Sequence, residues 1–79
     1  MKNNSNTPYI RPGFYKHFKG AIYQVEGVGM HSETEEYLVS YRAPDGKKWF
    51  RPYDLFVAPA KLDDGTIVAR FEYLDNGMM

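Results

Sequence analysis

Two histidines, a run of carboxylates and one tryptophan carry most of the chemistry this 79-residue chain can offer. His31-Ser32-Glu33-Thr34, with Glu36 just beyond, is the densest set of capable side chains. His31 could act as acid, base or metal ligand with Glu33 or Glu36 as its carboxylate partner, the makings of a minimal hydrolase. The same residues also suit a plain loop between strands, where Ser32 and Thr34 bond nearby backbone groups and Glu33 faces water. His17 is the other histidine. Fourteen residues separate it from His31 and no i, i+4 helical pair exists, so the spacing selects no metal site and calls for no cofactor. Zero cysteines remove thiolate zinc sites, thiol nucleophiles and disulfides together, which suits a cytoplasmic location. The phosphate-loop, nucleophile-elbow and zincin motifs are also missing.

Trp49 and Arg51 share a strand face opposite Phe50. If Phe50 points into the core, the indole and the guanidinium point out, where they could hold a planar or anionic ligand. The plainer reading packs Trp49 under the tail or the Pro52 turn and pairs Arg51 with a glutamate. Charge sums to zero, ten basic against ten acidic residues, yet it is uneven. Lys2, Arg11, Lys16 and Lys19 precede any acidic residue, and Arg42, Lys47, Lys48 and Arg51 follow against Asp45 alone. If these two stretches adjoin, a positive patch interleaved with Tyr15, Trp49 and Tyr53 would suit phosphates and stacked bases.

The elements that must position these groups are short. Residues 1–7 are polar and aperiodic and 75–79 resemble a second loose end, so a disordered tail and a frayed C-terminus flank one domain over 8–74. Thirteen aromatics in so small a chain must mostly serve as core. Alternation puts Phe14, Lys16 and Phe18 on one face of a first strand, with Tyr15, His17 and Lys19 on the other. Ala21–Glu26 reads as a second strand, and Gly27 and Gly29 mark a bulge or bend after it. In Glu36–Arg42, Tyr37, Val39 and Tyr41 line one face. Ala43-Pro44-Asp45-Gly46-Lys47 is a turn and Lys48–Arg51 the return strand. Tyr53–Phe56 fits a helical turn, Asp63-Asp64-Gly65 another turn, and Thr66–Tyr73 a last strand. Five short strands with no helix of ten or more residues predict an all-β domain: a small five-stranded SH3-like barrel with a short helical turn before the last strand. Strand parity assigns Phe18, Tyr23, Phe50 and Phe71 to the core and Trp49 to the surface.

Three ordered motifs carry a family resemblance. Pro12–Gly20 with Tyr23-Gln24-Val25, then His31-Ser32-Glu33-Thr34 with Glu36, Leu38-Val39 and Tyr41, then Trp49-Phe50-Arg51-Pro52 with Phe56 and Arg70-Phe71, resemble the bacterial family known as domain of unknown function 1653. The resemblance implies a stand-alone SH3-like barrel of about this size and no particular activity. The chain departs from the family at Ala43–Gly46, where relatives tend to carry a longer hairpin turn.

The leading functional expectation is a non-enzymatic module. It would bind a small anionic or nucleotide-like ligand, or nucleic acid, through Tyr15, His17, His31, Ser32, Glu33, Trp49 and Arg51. The alternatives are the hydrolase built on His31 with Glu33 or Glu36, and a protein-interaction module. A monomer or weak homodimer is expected, and no stretch approaches the ~20 apolar residues of a membrane span.

Overall fold

In the computed structural model, which describes residues 7–75, the strand patterns become β1 (Gly13–His17), β2 (Ile22–Met30), β3 (Tyr37–Arg42) and β4 (Lys48–Pro52). After these come a helix α1 (Tyr53–Val57) and β5 (Ala60–Lys61), β6 (Ile67–Val68) and β7 (Phe71–Asp75). The tail expected over 1–7 and the frayed end over 75–79 lie outside the described residues, Thr7 and Asp75 apart. The turn at 43–47 forms as its residues dictate. Ala43 N–H donates to Lys47 O at 2.9 Å, the Asp45 carboxylate accepts from Lys47 N–H at 2.9 Å, and Gly46 takes the left-handed φ of 86°.

Five strands make one antiparallel sheet in the order β4-β3-β2-β1-β7. The all-β class holds, with one helix of five residues. The sheet is bent but not closed: β4 and β7 are its two edges and do not pair with each other. The expected last strand over Thr66–Tyr73 divides in two. Ile67–Val68 pairs with β5 in a separate two-stranded ribbon, and Phe71–Asp75 joins β1. The break falls at Ala69-Arg70.

Register decides which side chains meet. Val25, Tyr41 and Trp49 lie side by side across β2, β3 and β4, as do Val28, Val39 and Arg51. The steps from Val25 to Val28 and from Tyr41 to Val39 differ in length because β2 carries a bulge between Val25 and Gly27. Glu26 is the extra residue, and Gly27 absorbs the distortion at φ 153°. On the outer face Glu26 accepts from Lys48 Nζ at 3.1 Å, Ser40 Oγ at 3.0 Å and Arg42 Nε at 3.0 Å. These bonds, Lys48's foremost, hold its carboxyl below the ordinary glutamate range.

The inner face gathers Ile10, Tyr15, Val25, Val39, Tyr41 and Phe56 into the core, with Val39 fully buried. Phe56 from α1 stacks on Phe71 at 4.2 Å and meets the Tyr15 and Tyr41 rings at 6.2 and 5.7 Å. Two rings take the face opposite to the one expected. Tyr15, expected on a ligand-binding surface, is buried, because its phenol finds a partner inside. Phe50, expected in the core, is 62% exposed. Trp49 is paired with buried Tyr41, so it must share Tyr41's face and Phe50 must take the other. Trp49 remains 48% exposed because β4 is an edge strand, with a neighbour on one side only.

Candidate functional site

A cleft of about 320 Å³ lies beside the core, bordered by the segment before β1, by α1 and by the break between β6 and β7. Pro12 ends the Tyr9–Arg11 stretch, and the Tyr15 hydroxyl donates to Arg11 O at 2.7 Å, tying that stretch to the sheet. Burial, then the neighbouring Tyr73 phenol, pushes the Tyr15 pKa above its ordinary value, with Arg11 opposing. The phenol therefore stays protonated and remains a donor. Arg11 lies over the Tyr73 ring, 4.5 Å from its centre.

Arg70 forms the opposite wall. Its Nε donates to Ala58 O at 3.1 Å and one Nη to Pro59 O at 3.3 Å, which fixes the guanidinium across the β6–β7 break. The remaining Nη has no protein partner among the described residues. The cleft thus combines Tyr9, Tyr15, Tyr53, Phe56 and Phe71 with two arginines, and no carboxylate residue lines it. Such a mixture of apolar wall and few convergent polar groups is the usual make-up of a small-molecule site. The volume falls within the range of about 300–1,000 Å³ typical of such sites.

The sequence-predicted residues do not converge. His31 closes its own loop: its Nδ1 accepts from Glu33 N–H at 3.1 Å and Thr34 N–H at 3.2 Å. Its backbone completes the clasp with Glu36 O at 2.8 Å and Glu35 N–H at 2.9 Å, while Glu35 adopts φ 61°. The acid–base pair expected of His31 with Glu33 or Glu36 does not form: every side-chain hydrogen bond of His31 among the described residues goes to backbone. Ser32, Glu33 and Glu36 are exposed. Thr34 is held by its own turn, its hydroxyl accepting from Glu36 N–H at 3.2 Å. Among the described residues no three metal-ligating side chains come together.

His17 is half-buried against Phe18 and Phe71, with ring centres at 4.6 and 5.0 Å, and its Nδ1 accepts from Lys19 N–H at 3.1 Å. Burial lowers its pKa below the ordinary 6.5, and the charges of Arg70, Lys19 and Arg51 add to that. The neutral ring is therefore the one the fold prefers. As pH falls below about 6.5 the unfolded chain takes up a proton that the folded chain refuses, so stability falls until the folded pKa is reached. A thermal melt series between pH 5 and 7.5 is expected to show Tm rising with pH, and His17→Asn, which keeps an acceptor but cannot titrate, is expected to flatten that slope.

Trp49 and Arg51 sit outside the cleft. The Lys47 ammonium lies 5.8 Å from the Trp49 ring centre, and the Arg51 Nε is buried with no hydrogen-bond partner among the described residues. Of the seven predicted ligand residues only Tyr15 lines the cleft, as part of its apolar wall. Tyr9, Arg11, Tyr53 and Arg70 were not legible as a group, since they come from separate segments with no fixed spacing. One signal touched Arg70: Arg70-Phe71 belong to the motifs that carry the family resemblance.

A family model described as protein of unknown function (DUF1653) matches residues 13–73. The fold is also similar to the crystal structure of a protein belonging to DUF1653 from Bordetella bronchiseptica. The two share 26% identity at a TM-score of 0.77, covering 89% of this chain and 94% of that one. No curated protein matches the chain. Among the described residues no helix is long and apolar enough to cross a membrane.

Proposed function

Since the chain belongs to the DUF1653 family of proteins of unknown function, the site itself must supply the reading, and we propose a binding domain whose cleft takes a small anionic, nucleotide-like ligand. One observation carries this: five aromatic rings and two arginines line the same cleft with no carboxylate among them. Planar rings offer stacking surface for a base or similar ring system, and a guanidinium offers paired N–H donors to a phosphate or carboxylate. Arg70 is half-buried and held by two backbone carbonyls, so little side-chain freedom is lost when it binds. Arg11, more exposed, supplies the second charge and long-range attraction.

The test is a two-dimensional NMR titration of isotope-labelled protein with nucleoside monophosphates, inorganic phosphate and a single-stranded oligonucleotide. Nucleoside monophosphates are expected to shift the Arg11, Tyr53 and Arg70 amides, with inorganic phosphate acting more weakly because it has no ring to stack. Undisturbed amides around the cleft at millimolar nucleotide would sink the reading. An oligonucleotide that binds more tightly than its mononucleotide would move the assignment to nucleic acid.

A further inference from the structure

Strand β4 ends the sheet with unpaired backbone on its outer side. Because Ala43 N–H donates to Lys47 O, the Ala43/Lys47 pair is hydrogen-bonded, and alternation makes Tyr41/Trp49 and Val39/Arg51 the next bonded pairs. The N–H and C=O groups of Lys48 and Phe50 therefore point away from β3, and none of them has a hydrogen-bond partner elsewhere among the described residues. Pro52 has no N–H to offer, so the free stretch stops there. Edge strands are usually blunted by brevity, charge or proline. Here proline closes one end only, and the exposed part displays an aromatic ring on each face: Trp49 on one, Phe50 on the other.

The charge beside this edge selects a partner. Arg42, Lys47, Lys48 and Arg51 lie along it, with Glu26 and Asp45 beside them and Glu35, Glu36 and Asp54 gathered beyond its Pro52 end. Glu26 is consumed by Arg42 and Lys48 on the outer face, and Asp45 is turned inward to the Lys47 N–H. Lys47 and Arg51 have no ion-pair partner among the described residues. A second copy of β4 would bring the same cations together, which opposes self-pairing. An acidic strand would meet them with opposite charge.

We propose that the β4 edge accepts an extended acidic peptide by strand addition, with the backbone of Lys48 and Phe50 supplying the hydrogen bonds and Lys47 and Arg51 the charge selection. An antiparallel partner exchanges both bonds with Lys48 and both with Phe50, making four in all. Its carboxylates fall beside Lys47 and Arg51 on one face, and its apolar side chains cover Phe50 on the other. This surface lies apart from the cleft and stands or falls independently of it.

The full chain, isotope-labelled, is titrated with an end-blocked octapeptide alternating glutamate and valine, and with its lysine–valine counterpart. The glutamate peptide is expected to shift the Lys48 and Phe50 amides and to slow their hydrogen exchange at least tenfold at saturation, with no such effect from the lysine peptide. Phe50→Pro removes an outward donor while leaving the β3 ladder intact, and is expected to lower affinity at least tenfold. Should that variant not fold, Lys47→Glu, on an exposed side chain in the turn, is expected to weaken binding several-fold. Equal response to both peptides overturns the proposal. So do shifts confined to β7 or the cleft, and full binding by a folded Phe50→Pro. Concentration-dependent shifts at Lys48 and Phe50 without peptide would assign the edge to a second copy instead. An oligothymidylate that perturbs the same amides at lower concentration than the peptide would assign it to single-stranded nucleic acid.

Discussion

Phe56→Ala is expected to cost the fold about 3–5 kcal/mol, a large part of its stability. Phe56 is the buried ring of α1, stacked on Phe71 and touching Tyr15 and Tyr41, so it holds the helix to the sheet. Truncating a buried phenylalanine costs about 3–5 kcal/mol through lost transfer energy and the cavity left behind. A chain of this length has about 4–12 kcal/mol in total at the usual 0.05–0.15 kcal/mol per residue. The loss is therefore comparable to the whole when stability lies at the lower end. Urea denaturation followed by the fluorescence of Trp49, the single tryptophan, measures it. Phe50→Ala, on the exposed outer face, serves as the control and is expected to change stability by less than about 1 kcal/mol. A Phe56→Ala transition coinciding with the unmodified protein's would mean that α1 is dispensable to the core.

The second large effect concerns binding. Arg70→Gln shortens the cleft's fixed cation and removes its charge, while leaving an amide that can still reach toward the Ala58 carbonyl. Hydrogen bonds to charged groups contribute about 1.5–3 kcal/mol, which converts to a ten- to hundredfold loss of nucleotide affinity. Arg11→Ala is expected to cost less, since Arg11 is exposed and its charge is screened. Lys16→Gln, on the outer face of β1, is expected to leave affinity unchanged. Titration calorimetry with a nucleoside monophosphate separates the three. Equal losses for Arg70→Gln and Lys16→Gln would mean that only net charge matters and that the cleft does not bind.

How much of this the sequence disclosed follows from what alternation can and cannot say. Parity was legible throughout: Tyr37, Val39 and Tyr41 share a face, as do Trp49 and Arg51. The turn at 43–47, the bend at Gly27 and the helical turn at 53 were legible too, because proline, glycine and aspartate act locally. What parity cannot give is which face is inner when both carry aromatics. On β1 the choice lay between Phe14/Phe18 and Tyr15/His17, and polar-tipped rings read as surface. Tyr15 goes inside because the Arg11 carbonyl, four residues back, satisfies its hydroxyl. On β4 the choice lay between Trp49 and Phe50, and only the cross-strand partner Tyr41 decides it. The cleft was the least legible feature. Its arginines, Arg11 and Arg70, lie at opposite ends of the chain and meet only after β7 has docked beside β1.

That docking has a kinetic consequence. Strands β1 to β4 follow one another in space as they do in sequence, each hairpin closed by a short turn. The pairing of β1 with β7, His17 against Phe71, instead joins residues roughly fifty positions apart, and its loop-closure entropy must be spent before any contact repays it. The four-stranded meander can assemble locally, but Phe71 and Tyr73 reach the core only through this one long-range closure. That closure spans the longest loop of the sheet, and the cleft comes into being at that event and not before.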